Sequence, residues 1–353
     1  MKDYDVIIIG GGASGLAAAI SLKRKAKDVQ VAIIEKKNKV GCKLSVTGNG
    51  KCNLSNTDCP GAAHIIDFFA SLGVPVRTDS EGRIYPYSEN ASQVVDALQG
   101  EARSLGVEII CNTAVTSIKT MSDGRFEIAP GFTAGKVIIA TGGKSYATYG
   151  TTGDGYVLAR NLGHTVVPLV PGLTAIEVHE NIQKLKGVRA KGKVGLYRNG
   201  QLIALESGEI QFREDSLSGI CIMNLSNMIS RDAAYELLLN LVPDFPNASL
   251  EDMYNAKALL KPELMEYIKD GGLDPRALRL KVKALKGWNE AQITCGGVSL
   301  DEVNMDTMES QKVPGLYFTG EVLDIQEQCG GYNLHNAWVT GIRAAEAISD
   351  SFF

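Results

Sequence analysis

Histidine is scarce in this chain of 353 residues, and the four present (His64, His164, His179 and His335) lie far apart, so no metal cluster is visible. There is no Cys-x-x-Cys pair. The seven cysteines are an odd number, and the spacing of Cys42, Cys52 and Cys59 matches no zinc site. Reduced thiols in a reducing compartment are the expectation. Proline numbers only 11 and glycine has no strict period, which excludes collagen and Pro/Gly-rich disorder. Lys and Arg total 36 against 40 Asp and Glu, a net charge of -4, so the chain is not a strongly basic nucleic-acid binder. No apolar run reaches the ~18 residues of a membrane span. The apolar run 6–20 follows Lys2, Asp3 and Asp5, where a signal peptide would be basic, and it carries four patterned glycines. A soluble, cytoplasmic protein is expected.

Glycine is what the chain has in excess. There are 38, where average usage of about 7% would give roughly 25. Eighteen of them fall in the blocks 10–15, 41–50, 142–155, 296–297 and 320–341. Apolar residues at 44% and charged residues at 22% are ordinary globular values, and the length suits about two domains.

Residues 4–9 read as a buried parallel strand, Leu16 to Lys27 as a helix and Val31 to Ile34 as a second strand ending at Glu35. That is a βαβ element of about 30 residues. A long polar loop covers 36–56. Helices are expected at 62–72 and 91–105, and strands within 107–128 around an Asp123-Gly124 turn. A buried strand over 136–140 and a helix over 153–162 follow. From about 165 the texture becomes β-rich, with Asn199-Gly200 as a hairpin signal. Residues 233–286 read as mostly helical. Within them, 257–286 carries eight Lys or Arg against four Asp or Glu, which reads first as a solvated helical face. A strand ending near Gly320 and a helix over 333–349 close the chain. The boundaries are therefore 1–165 with 291–353 for a discontinuous nucleotide-binding domain, and 166–290 for an inserted β-rich lobe with a helical segment at about 233–286.

Gly10-x-Gly12-x-x-Gly15 stands between the first strand and the first helix. Gly10 allows the tight turn, Gly12 lets backbone approach a pyrophosphate, and Gly15 lets the helix pack on the strand. The pyrophosphate would sit on the helix N-terminus, where N–H groups and the helix dipole favour anions. Glu35 lies 20 residues past Gly15, placed to accept hydrogen bonds from ribose hydroxyls and to repel a 2′-phosphate. The motif does not separate FAD from NAD.

Longer blocks do. Gly41-Cys42-Lys43-Leu44-Ser45-Val46-Thr47-Gly48-Asn49-Gly50-Lys51-Cys52-Asn53, Ala140-Thr141-Gly142-Gly143-Lys144-Ser145-Tyr146, Thr151-Thr152-Gly153-Asp154-Gly155, Gly296-Gly297-Val298, Gly320-Glu321-Val322-Leu323-Asp324 and Gly330-Gly331-Tyr332-Asn333-Leu334 occur in this order. In order and spacing they resemble the HI0933-like (YhiN/BaiN) family of FAD-binding flavoproteins along most of the chain. The resemblance implies an α/β fold: a Rossmann-like FAD-binding domain of the glutathione-reductase type, interrupted by a β-rich substrate lobe. It implies Glu35 on the adenosine ribose, Lys43 and Asn53 near the pyrophosphate and flavin, and Thr141, Gly142 and Gly143 passing the adenine side. Asp324 would bond the ribityl chain. Tyr332, Asn333 and Leu334 would open a helix facing the flavin pyrimidine edge, where negative charge develops on reduction. Ala13, Ser14, Lys36, Leu44, Cys52, Val115, Tyr146, Asp154, Gly320, Glu321 and Gly331 complete the implied cofactor set.

Plainer roles stand beside these. Asn53 and Asn56 suit loop turns, Asp154 a helix N-cap, Tyr146 and Tyr149 packing, and Cys52 and Cys329 small buried side chains. Gly208-Glu209-Ile210-Gln211-Phe212 matches the family's middle-lobe pattern, but Arg213-Glu214 replaces its Thr-His or Thr-Asp. Arg213 is then an anion clamp or proton donor, or a surface ion-pair partner. Catalytic residues are otherwise unassigned, with Arg213 and Tyr146 the candidates. The expected activity is an FAD-dependent oxidoreductase exchanging a hydride with a small organic substrate. One strand–GxGxxG–helix unit argues against a dedicated NAD(P)H domain, so NAD(P)H would be a transient donor. No nucleic-acid or membrane partner is expected. The alternatives are a flavin-binding sensor or flavin-dependent RNA modification.

Overall fold

The computed structural model describes residues 1–230 and 233–352. The chain divides into two compact units, Met1–Val170 with Ile293–Phe353, and Pro171–Gln292.

The first unit is built on β1 (Lys2–Ile9), whose Val6 to Ile9 are all buried. Such a run without alternation belongs in the middle of a parallel sheet covered on both faces. α1 (Ala13–Lys25) follows the glycine turn, and β2 (Val31–Ile34) pairs parallel with β1, Val6 opposite Val31. The expected loop 36–56 contains a 3-10 turn at Leu44–Gly50 and the short β3 (Ser55–Asn56). α2 (Ala62–Ser71) comes next, and β4 (Val76–Thr78) and β5 (Arg83–Pro86) complete a small antiparallel sheet with β3. α3 (Ala91–Ser104) starts at an Asn90 cap, whose side chain accepts from the N–H of Ser92 and Gln93. β6 (Glu108–Ile110) pairs with β2. β7 (Ser117–Thr120), β8 (Phe126–Ala129) and β9 (Phe132–Ile139) form a meander, and β9 pairs parallel with β1. α4 (Asp154–Asn161) follows.

The path leaves through β10 (Val170–Gly172) and returns through β17 (Ile293–Cys295). β18 (Leu316–Phe318) then pairs parallel with the C-terminal half of β9, Leu316 opposite Val137. α8 (Tyr332–Asp350) closes the chain. The sheet order is β6-β2-β1-β9-β8-β7, with β18 on β9. The chain's first and last helices pack together. A Cβ on Gly341 of α8 would run into the carbonyl of Ser14, so only glycine lets the two backbones approach there.

The second unit is a closed barrel, β11-β14-β13-β12-β15-β16. It uses β11 (Ile176–Val178), β12 (Arg189–Arg198), β13 (Gln201–Phe212) and β14 (Ser216–Ser218), followed by α5 (Ile220–Ser226). Asn199 and Gly200 both take positive φ, 50° and 77°, as the two-residue β12–β13 hairpin requires. The segment 233–286, read from composition as mostly helical, is a correction. It holds β15 (Tyr235–Asn240) and β16 (Leu278–Leu285), which close the barrel, with only α6 (Leu250–Asn255) and α7 (Pro262–Asp270) between them. Leu237, Leu239, Leu278 and Leu280 are buried at period two and fill the barrel with Val194, Leu196, Ile210 and Phe212. Leu, Lys and Glu favour helices by propensity, but a half-buried strand position open to the barrel core outweighs that preference. No described helix is long and apolar enough to cross a membrane.

Candidate dinucleotide site

The parallel strands β1, β2, β9 and β18 all end at the same edge of the sheet, and each hands over to a residue singled out by the sequence. These are Gly10, Glu35, Thr141 and Gly320. In open α/β sheets ligands bind at such carboxyl ends. Gly10 has φ 106°, and a Cβ there would stand 2.5 Å from Ala140 O. A Cβ on Gly15 would run into Gly10 O, whereas the space beside Gly12 is open. Gly12 caps α1 without any side-chain cap, and the first turn carries no acidic residue. Among the described residues, the N–H groups of Gly12, Ala13, Ser14 and Gly15 have no protein acceptor. That is an anion cradle. Ser14 is buried, and its hydroxyl donates to Thr319 O (3.4 Å), tying the cradle to the end of β18.

The N–H of Gly11 donates to Glu35 Oε2 and that of Lys37 to Oε1, both at 2.8 Å. The carboxylate is fixed next to the glycine turn with lone pairs left to accept hydroxyls. Val115 is half-buried in the loop after β6, which is held to β2 by Thr113 N–H on Glu35 O (3.0 Å). Lys36 turns to another partner: its ammonium bonds Thr152 Oγ1 (2.5 Å) and the Asp154 carboxylate. Burial pushes Asp154 up, but the Lys36 and Thr152 hydrogen bonds outweigh it and hold the carboxyl below its usual range. Asp154 is the first residue of α4 rather than its cap, which is Gly153.

Glu321 organises the centre. Its Oε2 accepts from Lys43 Nζ (2.6 Å), and its Oε1 accepts from Thr294 N–H (2.8 Å) and Ser145 Oγ (3.2 Å). Lys43 also donates to Ser145 Oγ (2.9 Å) and lies 5.8 Å from the Tyr146 ring centre. Gly143 passes so close that a Cβ would stand 2.7 Å from Glu321 Oε1. Tyr146 has φ 60° and ψ 50°, the left-handed region, unusual for a bulky residue. Thr151 holds it there by donating to the carbonyls of Ser145 and Tyr146. Burial raises the Tyr146 phenol, and its hydroxyl has no hydrogen-bond partner among the described residues.

Leu44 is buried at the start of the 3-10 turn. Cys52 is buried with φ 60°, and burial pushes its thiol up to about 12, so it is an inert packing group. Among the described residues, neither Cys52 nor Cys329 forms a disulfide. Asn53 Oδ1 and Thr141 Oγ1 are buried without a protein partner. At the entry to α8, Gly331 is the cap and no side chain caps the N–H groups of Tyr332, Asn333 and Leu334. The side chain of Asn333 is committed to the loop before it, with Oδ1 accepting from Glu327 N–H (3.0 Å) and Nδ2 donating to the carbonyls of Glu327 and Gln328 (3.1 and 3.2 Å). Burial raises the Asp324 carboxyl against an opposing Gly296 hydrogen bond. His335, in the first turn of α8, donates Nε2–H to Pro60 O (3.0 Å), because a carbonyl only accepts. Its Nδ1 then accepts from Ser55 Oγ (2.8 Å), and burial lowers its pKa.

These residues fit FAD. Two uncapped helix N-termini suit a pyrophosphate and an electron-rich ring edge, Glu35 suits a ribose, and the orphaned Asn53 and Thr141 oxygens need donors that a flavin and its hydroxyl chain carry. Lys36 and the Asn333 side chain are committed elsewhere. Arg213 lies in the other unit, half-exposed and ion-paired with Glu290. Sequence motifs assigned no role to Thr294 or Thr319, and none to Ser145 beyond its place in the 140–146 block. Thr294 meets the 144–145 backbone from about 150 positions away, accepting from Lys144 N–H (2.7 Å), and no local pattern announces that contact.

A sequence model described as HI0933-like protein Rossmann domain matches residues 4–63 and 60–347. A 3-dehydro-bile acid delta(4,6)-reductase of Clostridium scindens is 34% identical over 404 residues, covering 97% of this chain and 98% of its own. A ribosomal RNA dihydrouridine synthase of Escherichia coli is 28% identical over 409 residues, covering 99% of this chain and 98% of its own. Among solved structures, the open conformation of a flavocytochrome c3 fumarate reductase superposes with a TM-score of 0.57 at 15% identity, over 99% of this chain and 78% of that one. At that identity the likeness is one of fold.

Proposed function

Because the chain belongs to the HI0933-like family, we propose that it is an FAD-dependent oxidoreductase that reduces a carbon–carbon double bond conjugated to a carbonyl group in an organic substrate. The observation that carries this reading is the pair of uncapped helix N-termini, α1 and α8, at the strand ends beside Glu35 and the orphaned oxygens of Asn53 and Thr141. The choice of reaction is supported by the names of two relatives. One is a reductase of delta(4,6) bonds in a 3-dehydro steroid acid, the other a maker of dihydrouridine. In chemical terms each saturates a double bond in conjugation with a carbonyl.

When bound, FAD supplies two-electron storage and a hydride-exchanging N5. The chain's own residues do the rest. The α1 N-terminus and Glu35 hold the nucleotide end, and the α8 N-terminus favours negative charge on the ring edge. Lys43 adds a cation whose position is set by Glu321 and Ser145. Tyr146 retains its phenolic proton because burial raises its pKa, and its unbonded hydroxyl is the candidate donor at Oη. The net reaction takes one NAD(P)H and one proton. Hydride goes to one carbon of the double bond, the proton to its neighbour, and NAD(P)+ leaves. NAD(P)H enters as a transient donor.

The test is anaerobic. Purified protein is loaded with FAD, reduced with NADH or NADPH, and mixed with a panel of enones and uracil nucleosides. Bleaching by a nicotinamide and recovery of oxidised flavin by a conjugated acceptor is the expected result. A protein that takes up no FAD overturns the cofactor assignment. Bleaching without recovery by any conjugated acceptor overturns the choice of reaction alone.

A further inference from the structure

The outer wall of the barrel carries a groove of about 1240 Å³ between strand β12 and the α6–α7 arm. Arg189, Lys191 and Lys193 alternate along β12, so all three point to the same outer face, about 6.6 Å apart from one to the next. The opposite wall supplies Lys257, Lys261 and Lys269. Arg189 pairs with Glu209. Among the described residues the five lysines form no ion pair, although Asp244, Glu266 and Asp270 also line the groove. The floor is apolar, with Leu241, Val242 and Met265, and Phe245 stands 50% exposed at the rim. Three of these lysines come from the basic stretch 257–286, which the flavin site leaves unused.

We propose that this groove binds a single nucleic-acid strand. Two facing rows of cations, five of the six without an ion-pair partner among the described residues, neutralise a backbone from both sides, and the spacing along β12 suits successive phosphates of an extended strand. An apolar floor with an exposed aromatic accepts unstacked bases, the usual arrangement for strand binding without sequence readout. Asp244, Glu266 and Asp270 repel phosphates and an acidic peptide alike, and what favours a nucleic-acid strand is Phe245, which an acidic peptide would leave without a stacked base. The inference rests on the barrel alone and is independent of the flavin reading.

The test uses the full-length, FAD-loaded protein and a short fluorescein-labelled oligouridylate, followed by fluorescence anisotropy over a salt series. Binding that weakens with salt is expected, with the salt slope reduced by about 1 for each phosphate-contacting lysine removed. Lys257→Glu/Lys261→Glu and Lys191→Glu/Lys193→Glu should each weaken binding at least tenfold. The matched reversal Lys119→Glu/Lys281→Glu, outside the groove, should not. Lys→Gln versions at the same sites give the same ranking if a reversal fails to fold. Retained FAD content and melting temperature separate a groove effect from a folding or flavin defect. No binding at low salt, equal loss in the matched reversal, or competition by polyglutamate as strong as by unlabelled oligouridylate would each overturn the proposal.

Discussion

Glu321 has three donors on its two oxygens, and the backbone of Gly143 runs against one of them. Gly143→Ala therefore cannot be accommodated by a side-chain shift alone, because Thr294 and Glu321 are themselves pinned. The variant should lose about 1–3 kcal/mol of stability and bind FAD more weakly, measured by thermal denaturation and by flavin content after gel filtration. The histidines make a second residue-scale prediction. Burial lowers the pKa of both His164 and His335 below 6.5. The unfolded chain takes up protons as pH falls through 6.5 while the folded imidazoles stay neutral, so their stability contribution is full above that value and declines as pH drops toward their folded pKa values. Urea unfolding at successive pH values should show this decline, and His335→Gln should make it shallower. His164 is the more constrained of the two. Ser310 Oγ already accepts from the N–H of Lys312 and Val313, so it donates to His164 Nε2, which leaves the proton on a buried Nδ1 with no partner.

At the scale of elements, β15 and β16 show where pattern and propensity part. Leu237 sits in β15 with no solvent exposure and pairs in register with Leu280 of β16, where the barrel closes. Leu237→Ala should cost about 2–5 kcal/mol by cavity formation, read as a fall in urea midpoint. The same change at Leu250, an exposed residue of α6, should shift it little. In the first unit, β1 and β18 were legible in advance because each carried two independent signals, whereas β3, β4 and β5 carried none and were not read from the sequence. β1 has an unbroken apolar run followed by the glycine turn, and β18 has a short apolar run ending at Gly320. In 233–286 the only signals were Leu, Lys and Glu, which suit a helix, and a period-two burial that exists only once the barrel is formed. The α1–α8 contact lay outside reach for a related reason. Ser14 and Gly341 are at opposite ends of the chain, and nothing local to either says that they meet.

The whole molecule joins two units with separate cores, one built on a mixed, largely parallel sheet and one a closed barrel. Every residue proposed to hold FAD belongs to the first unit. A ligand that binds only the folded state stabilises it by about 2.7 kcal/mol at a hundredfold excess over Kd. Stripping the flavin should therefore lower the melting temperature, adding FAD back should restore it, and Glu35→Ala should weaken the restoration. Calorimetry of the stripped and reloaded protein checks this, and an unchanged melting temperature on reloading would contradict the placement of the cofactor.

The sequence by itself determined the first βαβ element, the glycine blocks and the identity of the acid at the end of β2, because turns, caps and strand ends are local and their residue requirements are steric. Only the tertiary structure decided that 233–286 closes a barrel, that Thr294 and Ser145 complete the Glu321 cluster, that Lys36 and the side chain of Asn333 are engaged with protein partners, and that two separate sets of cations share one groove. Each of these depends on which distant segments pack together, and that choice is made by the burial of the whole chain rather than by any stretch of it.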